Sequence, residues 1–249
     1  VSVVPIRKDV NFDNVVKFRP KDKEIKLRKD GSPKETPCNS KKGDPHEVYP
    51  IKDKNEIEKL KKYFKDKIDN AYYPEEKKIA GRNLLLIIFS LNVGLRMSDI
   101  VKLKWKDILY NDNTFKDAIR IQEKKTGKYK NFYLNDSVKN AITDYVENFN
   151  IMIKQESYIF KSREGGHIEV RTVGKIIKEA AKSIGIKYNV GTHTMRKTWS
   201  YWQIMSHKND AHFMAHLMHL LNHSSISATL HYAGISEEQN KQYYNDVNL

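Results

Sequence analysis

The chain has 249 residues, enough for one or two domains with a real core. Lysine and arginine number 45 against 31 aspartate and glutamate, a formal charge of +14, so either a polyanionic partner, usually nucleic acid, or a solvated lysine-rich surface is implied. One cysteine, Cys38, excludes an internal disulfide and a cysteine-rich zinc module, no apolar run approaches the ~20 residues of a bilayer crossing, and charge enters the N-terminus before any apolar h-region, so a cytoplasmic protein without a membrane role is expected.

Residues 1–48 hold Pro5, Pro20, Pro33, Pro37 and Pro45 among many lysines and show no helical period. They read as a basic segment, either an extended arm along a phosphate backbone or a linker. From residue 49 the pattern tightens. Ile57, Leu60, Phe64 and Ile68 predict an amphipathic helix, and the run from Arg82 to Val93, apolar nearly all round, predicts a buried central one. Gly94 suits a left-handed cap, and Ser98-Asp99 would start a short helix carrying Ile100, Leu103 and Trp105. Alternation over 118–123 and 129–134 around Lys124-Lys125-Thr126-Gly127-Lys128 predicts a β-hairpin with a basic tip. Apolar faces on Val138–Phe149 and Val173–Ile184 predict two further helices, and Tyr158-Ile159-Phe160 a short strand. Helices are expected over 194–207 and 210–221 and from 225 onward. The fold class is α+β, mainly α-helical, with a small antiparallel sheet.

Several side chains suit chemistry on a phosphate, and each also has a plain structural reading. Arg96, between a helix end and the next helix start, would present a rigid guanidinium beside backbone donors, or simply pair with Asp99. His193 and Arg196, at i and i+3, share a helix face and would join a proton carrier to a bidentate clamp. His223 closes one helix and Tyr232 follows on the next, where a phenol facing cations is a nucleophile and otherwise a packing residue. His212, His216 and His219 lack the carboxylate or cysteine of a recognisable metal site, apart from Asp210. Neither G-x-G-x-x-G nor G-x-x-x-x-G-K-[ST] occurs, which argues against nucleotide-driven chemistry.

The order of the motifs carries more than any one of them. Gly-Leu-Arg-x-Ser-Asp at 94–99, Lys-Thr-Gly at 125–127, His-x-x-Arg at 193–196, Leu-x-His-Ser-Ser at 221–225 and Thr-x-x-Tyr at 229–232 resemble the tyrosine recombinase (phage integrase) family, over about residues 49–236. The resemblance implies a tyrosine recombinase catalytic-domain-like fold over 49–249. It also implies six catalytic positions: Arg96, Lys125, His193, Arg196, His223 and the nucleophile Tyr232. Lys197 and Asn222 depart from the residues common at their positions, and Lys124 competes with Lys125 as the hairpin lysine. The expected activity is cleavage and rejoining of DNA through a 3′-phosphotyrosyl intermediate, for integration or excision of a mobile element. With guanidinium groups neutralising the charge, no cofactor or metal is needed.

The expected partners are double-stranded DNA carrying recombination sites and further copies of the chain, a dimer to tetramer assembling on DNA, with room for accessory DNA-bending or excision factors. Residues 236–249 are too polar to form a core and are expected to dock on a neighbouring protomer. Two alternatives stand beside this reading: a type IB topoisomerase-like strand transferase, and a catalytically inactive DNA-binding regulator on the same scaffold.

Overall fold

The computed structural model describes residues 47–208, 210 and 212–235. Residues 1–46 of the basic segment and the tail 236–249 lie outside them, so the expectations for the arm and for tail docking do too. Among the described residues the elements run α1 (Lys54–Asp69), α2 (Pro74–Val93), α3 (Met97–Ile100), α4 (Trp105–Ile108), β1 (Ile119–Gln122), β2 (Tyr129–Phe132), α5 (Asp136–Asn148), α6 (Val170–Ser183), α7 (Thr192–Ser206), α8 (Phe213–Leu221) and α9 (Ile226–Tyr232). No helix among them is long and apolar enough to cross a membrane.

The central helix forms as its composition predicts, and begins earlier, at Pro74, where a proline at the first helical position loses no needed hydrogen bond. α2 packs against α1, α5 and α7. Leu85, Leu86, Ile87 and Phe89 are buried, and Phe89 meets Phe132 and Phe160 edge-on at 6.3 and 5.6 Å. A second cluster gathers Ile204, Leu217, Leu221, Ala233 and Ile235. Helix α7 joins the two, with Met195 in the first and Ile204 in the second.

Strands β1 and β2 pair antiparallel, Ile119 opposite Phe132 and Gln122 opposite Tyr129, so residues 123–128 form the tip of the expected hairpin. Two local expectations need correction. Ser98-Asp99 lies inside α3 rather than capping it, because extended Arg96 is the N-cap and its carbonyl accepts from Asp99 and Ile100. Trp105 opens a separate helix, α4. Tyr158–Phe160 is not a strand. A single bridge, Lys104 to Tyr158, joins this segment to the chain near α4.

Gly94 ends α2 at φ +62°, and a Cβ there would collide with the Trp199 ring on α7. Left-handed strain and overpacking together should make Gly94→Ala cost about 2–5 kcal/mol. In thermal unfolding the midpoint should fall by about 5 °C or more. An unchanged midpoint would mean that Trp199 moves aside freely.

Candidate active site

The turn that Gly94 makes delivers Arg96 to the base of α3, where its guanidinium is largely buried. Arg96 Nη1 lies 2.8 Å from Glu123 Oε1, at the end of the hairpin's first strand. Glu123 is itself fully enclosed, and its other oxygen accepts from Thr126 Oγ1 at 2.8 Å and Asn222 Nδ2 at 3.0 Å. Burial alone would raise the Glu123 pKa. Contacts with Thr126 and Arg96, and the charges of Arg96 and Lys130, outweigh burial and hold the carboxylate below its ordinary value. This one carboxylate thus ties Arg96 to the neighbours of two other predicted residues, Lys125 and His223. Buried Asp99 steadies the same hairpin by accepting from the Lys124 backbone N–H at 3.1 Å.

Helix α7 supplies the next pair from its first turns. His193 stays exposed at one edge. Partial enclosure, then the cations of Arg196, Lys125, Arg96 and Lys197, keeps its pKa below the ordinary imidazole value, so it is neutral near pH 7 and able to accept a proton. Arg196 is 3% exposed; its Nη2 donates to the Leu221 carbonyl at 3.2 Å, while Nη1 is buried without a hydrogen-bond partner. A buried guanidinium nitrogen left in that state has an unmet need for an acceptor.

Asn222, at φ +57°, closes α8 in the left-handed conformation that asparagine tolerates, and so turns the chain onto His223. The His223 ring nitrogen Nδ1 lies 3.1 Å from Thr229 Oγ1, and its ring meets Tyr232 edge-on at 5.0 Å. Burial raises the Tyr232 phenol above its ordinary value, and the charges of Arg196 and Arg96 oppose that rise. A phenol in this setting ionises only when its proton has an acceptor and its new charge faces the two guanidinium groups.

Arg96, His193, Arg196, His223 and Tyr232 therefore converge on one site. Lys125, exposed at the hairpin tip, is likewise within electrostatic range of His193. Three residues belong with this group to which the sequence reading gave no role. Glu123 is one and Lys197 on α7 is another. The third, Lys130 on β2, donates to the Leu220 carbonyl at 2.8 Å, and burial, then Arg196, pushes its pKa down to about 8. Among the described residues no group of three or more His, Cys, Asp or Glu side chains is arranged to hold a metal ion, and His212, His216 and His219 form no such group.

A family model described as the phage integrase family matches residues 53–239. Over 200 residues the chain is 33% identical to the probable integrase/recombinase YoeC of Bacillus subtilis, covering 80% of this chain and 96% of that protein. It is 26% identical over 178 residues to the tyrosine recombinase XerD of Staphylococcus aureus, covering 69% of this chain but only 57% of XerD. Among solved structures, XerA recombinase superposes with a TM-score of 0.56 at 16% identity, over 81% of this chain and 66% of XerA. The Tn1549 transposon integrase in complex with circular intermediate DNA gives 0.51 at 17%, over 79% and 66%.

Proposed function

The chain belongs to the phage integrase family, and from that membership we propose that it cleaves and rejoins DNA at specific sites, with Tyr232 as nucleophile and Arg96, Lys125, His193, Arg196 and His223 around it. Its fold is that of a tyrosine recombinase catalytic domain, and it is a tyrosine-type site-specific recombinase. The observation that carries the residue assignment is the electrostatic convergence of Arg196 and Arg96 on partly buried Tyr232, with one Arg196 nitrogen lacking a hydrogen-bond partner.

In the proposed reaction the Tyr232 oxygen attacks the scissile phosphorus as its proton passes to neutral His193. The bond to the 5′-oxygen breaks, and Lys125 supplies that oxygen's proton, leaving a 3′-phosphotyrosyl link and a free 5′-hydroxyl strand. One phosphodiester replaces another, so attack by a second 5′-hydroxyl reverses the chemistry without ATP. Arg96 and Arg196 stabilise the added negative charge of the pentacoordinate transition state, and His223 hydrogen-bonds a non-bridging oxygen. The exposed face of α6 carries Arg171, Lys175, Lys178 and Lys182 at helical spacing, a stripe suited to DNA phosphates.

Recombination for integration or excision of a mobile element, a dimer to tetramer of this chain on DNA, and action in the cytoplasm complete the proposal. The lambda integrase dimer bound to a core site and the Tn1549 integrase in complex with circular intermediate DNA are among the solved structures of similar fold, and they favour action on DNA by more than one copy. A nicked duplex bearing the recombination site, enriched from random DNA by binding, tests the reaction. Covalent protein–DNA adduct should form at the same rate with and without EDTA. Dependence on a divalent metal would contradict a mechanism run by guanidinium groups.

A further inference from the structure

We propose that Lys197, backed by Glu47, is a positioning residue that holds the Tyr232 ring in the site of its own chain; this rests on Tyr232 being the nucleophile. Lys197 follows Arg196 on α7 and is 8% exposed. Its ammonium lies 5.5 Å from the centre of the Tyr232 ring and 2.9 Å from Glu47 Oε1. A lysine this enclosed is costly without a counter-charge. Glu47 supplies one, and the Lys197 ammonium directly holds the Glu47 carboxyl below its ordinary value. The cation then remains under an aromatic face, where it attracts the ring electrons and fixes the ring's position. His223 meets the same ring edge-on.

The helix that carries Tyr232 needs such support. α9 has seven residues, too few to be stable by itself. Ser225 caps its start by accepting from the Ala228 N–H. Its other end is held from outside by the segment 47–52. Lys52 Nζ donates to the Gly234 carbonyl at 2.7 Å, and the Glu47 oxygen that pairs with Lys197 also lies 4.0 Å from His231 Nε2. That segment is anchored on α7 in turn: the Ile51 N–H donates to Thr198 Oγ1 at 2.8 Å, and Trp202 Nε1 donates to the Ile51 carbonyl at 3.1 Å. Residues 47–52 thus form a strap from α7 to the far end of α9, with the Glu47–Lys197 pair at its edge beneath the nucleophile.

Lys197→Met, Lys197→Arg and Glu47→Gln separate positioning from packing. The readouts are single-turnover adduct formation on saturating nicked duplex, DNA affinity and thermal midpoint, with Tyr232→Phe run alongside. A small displacement of a nucleophile is enough to slow Lys197→Met and Glu47→Gln by about 10-fold or more, with DNA affinity within about 2-fold. Lys197→Arg keeps the cation over the ring and should retain at least about a third of the rate. A packing role would instead make methionine, which preserves the apolar stem, as good as arginine. The proposal is overturned if Lys197→Met matches Lys197→Arg, or if Lys197→Met and Glu47→Gln both cut at the wild-type rate. Should Lys197→Met fail to fold, Glu47→Gln decides alone, since it keeps the lysine and removes only its counter-charge. Adduct persisting in Tyr232→Phe would remove the nucleophile assignment and this proposal with it, a result distinct from normal cutting by the Lys197 variants.

Discussion

Replacing Tyr232 by phenylalanine should abolish the covalent protein–DNA adduct while DNA affinity stays at the wild-type level. The substitution removes one oxygen and keeps the ring, so the edge-on contact with His223 and the Lys197 cation over the ring face survive. Thr229, which holds α9 against His223, is untouched. What disappears is the atom that would bond to phosphorus, and no other described group takes its place between Arg96 and Arg196. Gel separation of denatured protein from labelled DNA reads the result. Adduct at a normal level in the variant would move the nucleophile to another residue.

Arg196→Lys is the second large effect. Arg196 uses one guanidinium nitrogen to hold the Leu221 carbonyl at the end of α8 and keeps another buried without a partner. A lysine ammonium retains the charge but cannot reach both places with a planar fork, so cleavage should fall by about 10²-fold or more. Arg96→Lys should behave alike, because Arg96 must answer Glu123 and the phosphate together. Single-turnover cleavage at saturating DNA measures both. Near-normal rates in the two variants would mean that neither guanidinium touches the scissile group.

Local signals carried much of this architecture. The all-round apolar run of α2, the left-handed Gly94 and the alternation on either side of Lys-Thr-Gly each act within a few residues, and the elements they predict form. Arg96, His193, Arg196, His223 and Tyr232 were legible because they stand in short motifs whose order survives in the chain. Residues that act only through tertiary contact were not legible. Glu123 looks like the end of a strand until folding brings residue 96 and residue 222 to its two oxygens. The Lys197–Glu47 pair joins positions 150 apart, beyond any periodicity. Lys130 alternates as a strand residue should, and its partial enclosure near Arg196 depends on a tertiary contact, the hydrogen bond to the Leu220 carbonyl of α8. The two local errors have the same origin. Asp99 has a helix-capping side chain, but it serves the hairpin through Lys124, and Tyr158–Phe160 has strand composition without a long enough neighbour to pair with.

The most direct measurement is to trap the covalent complex on a nicked duplex, digest protein and DNA, and locate the nucleotide-bearing peptide by mass spectrometry. The expected result is a single modified residue, Tyr232, linked to the 3′-phosphate of the cut strand, with a free 5′-hydroxyl on the released strand. A linkage on any other residue, a 5′-phosphate link, or cleaved DNA with no covalent intermediate would contradict it.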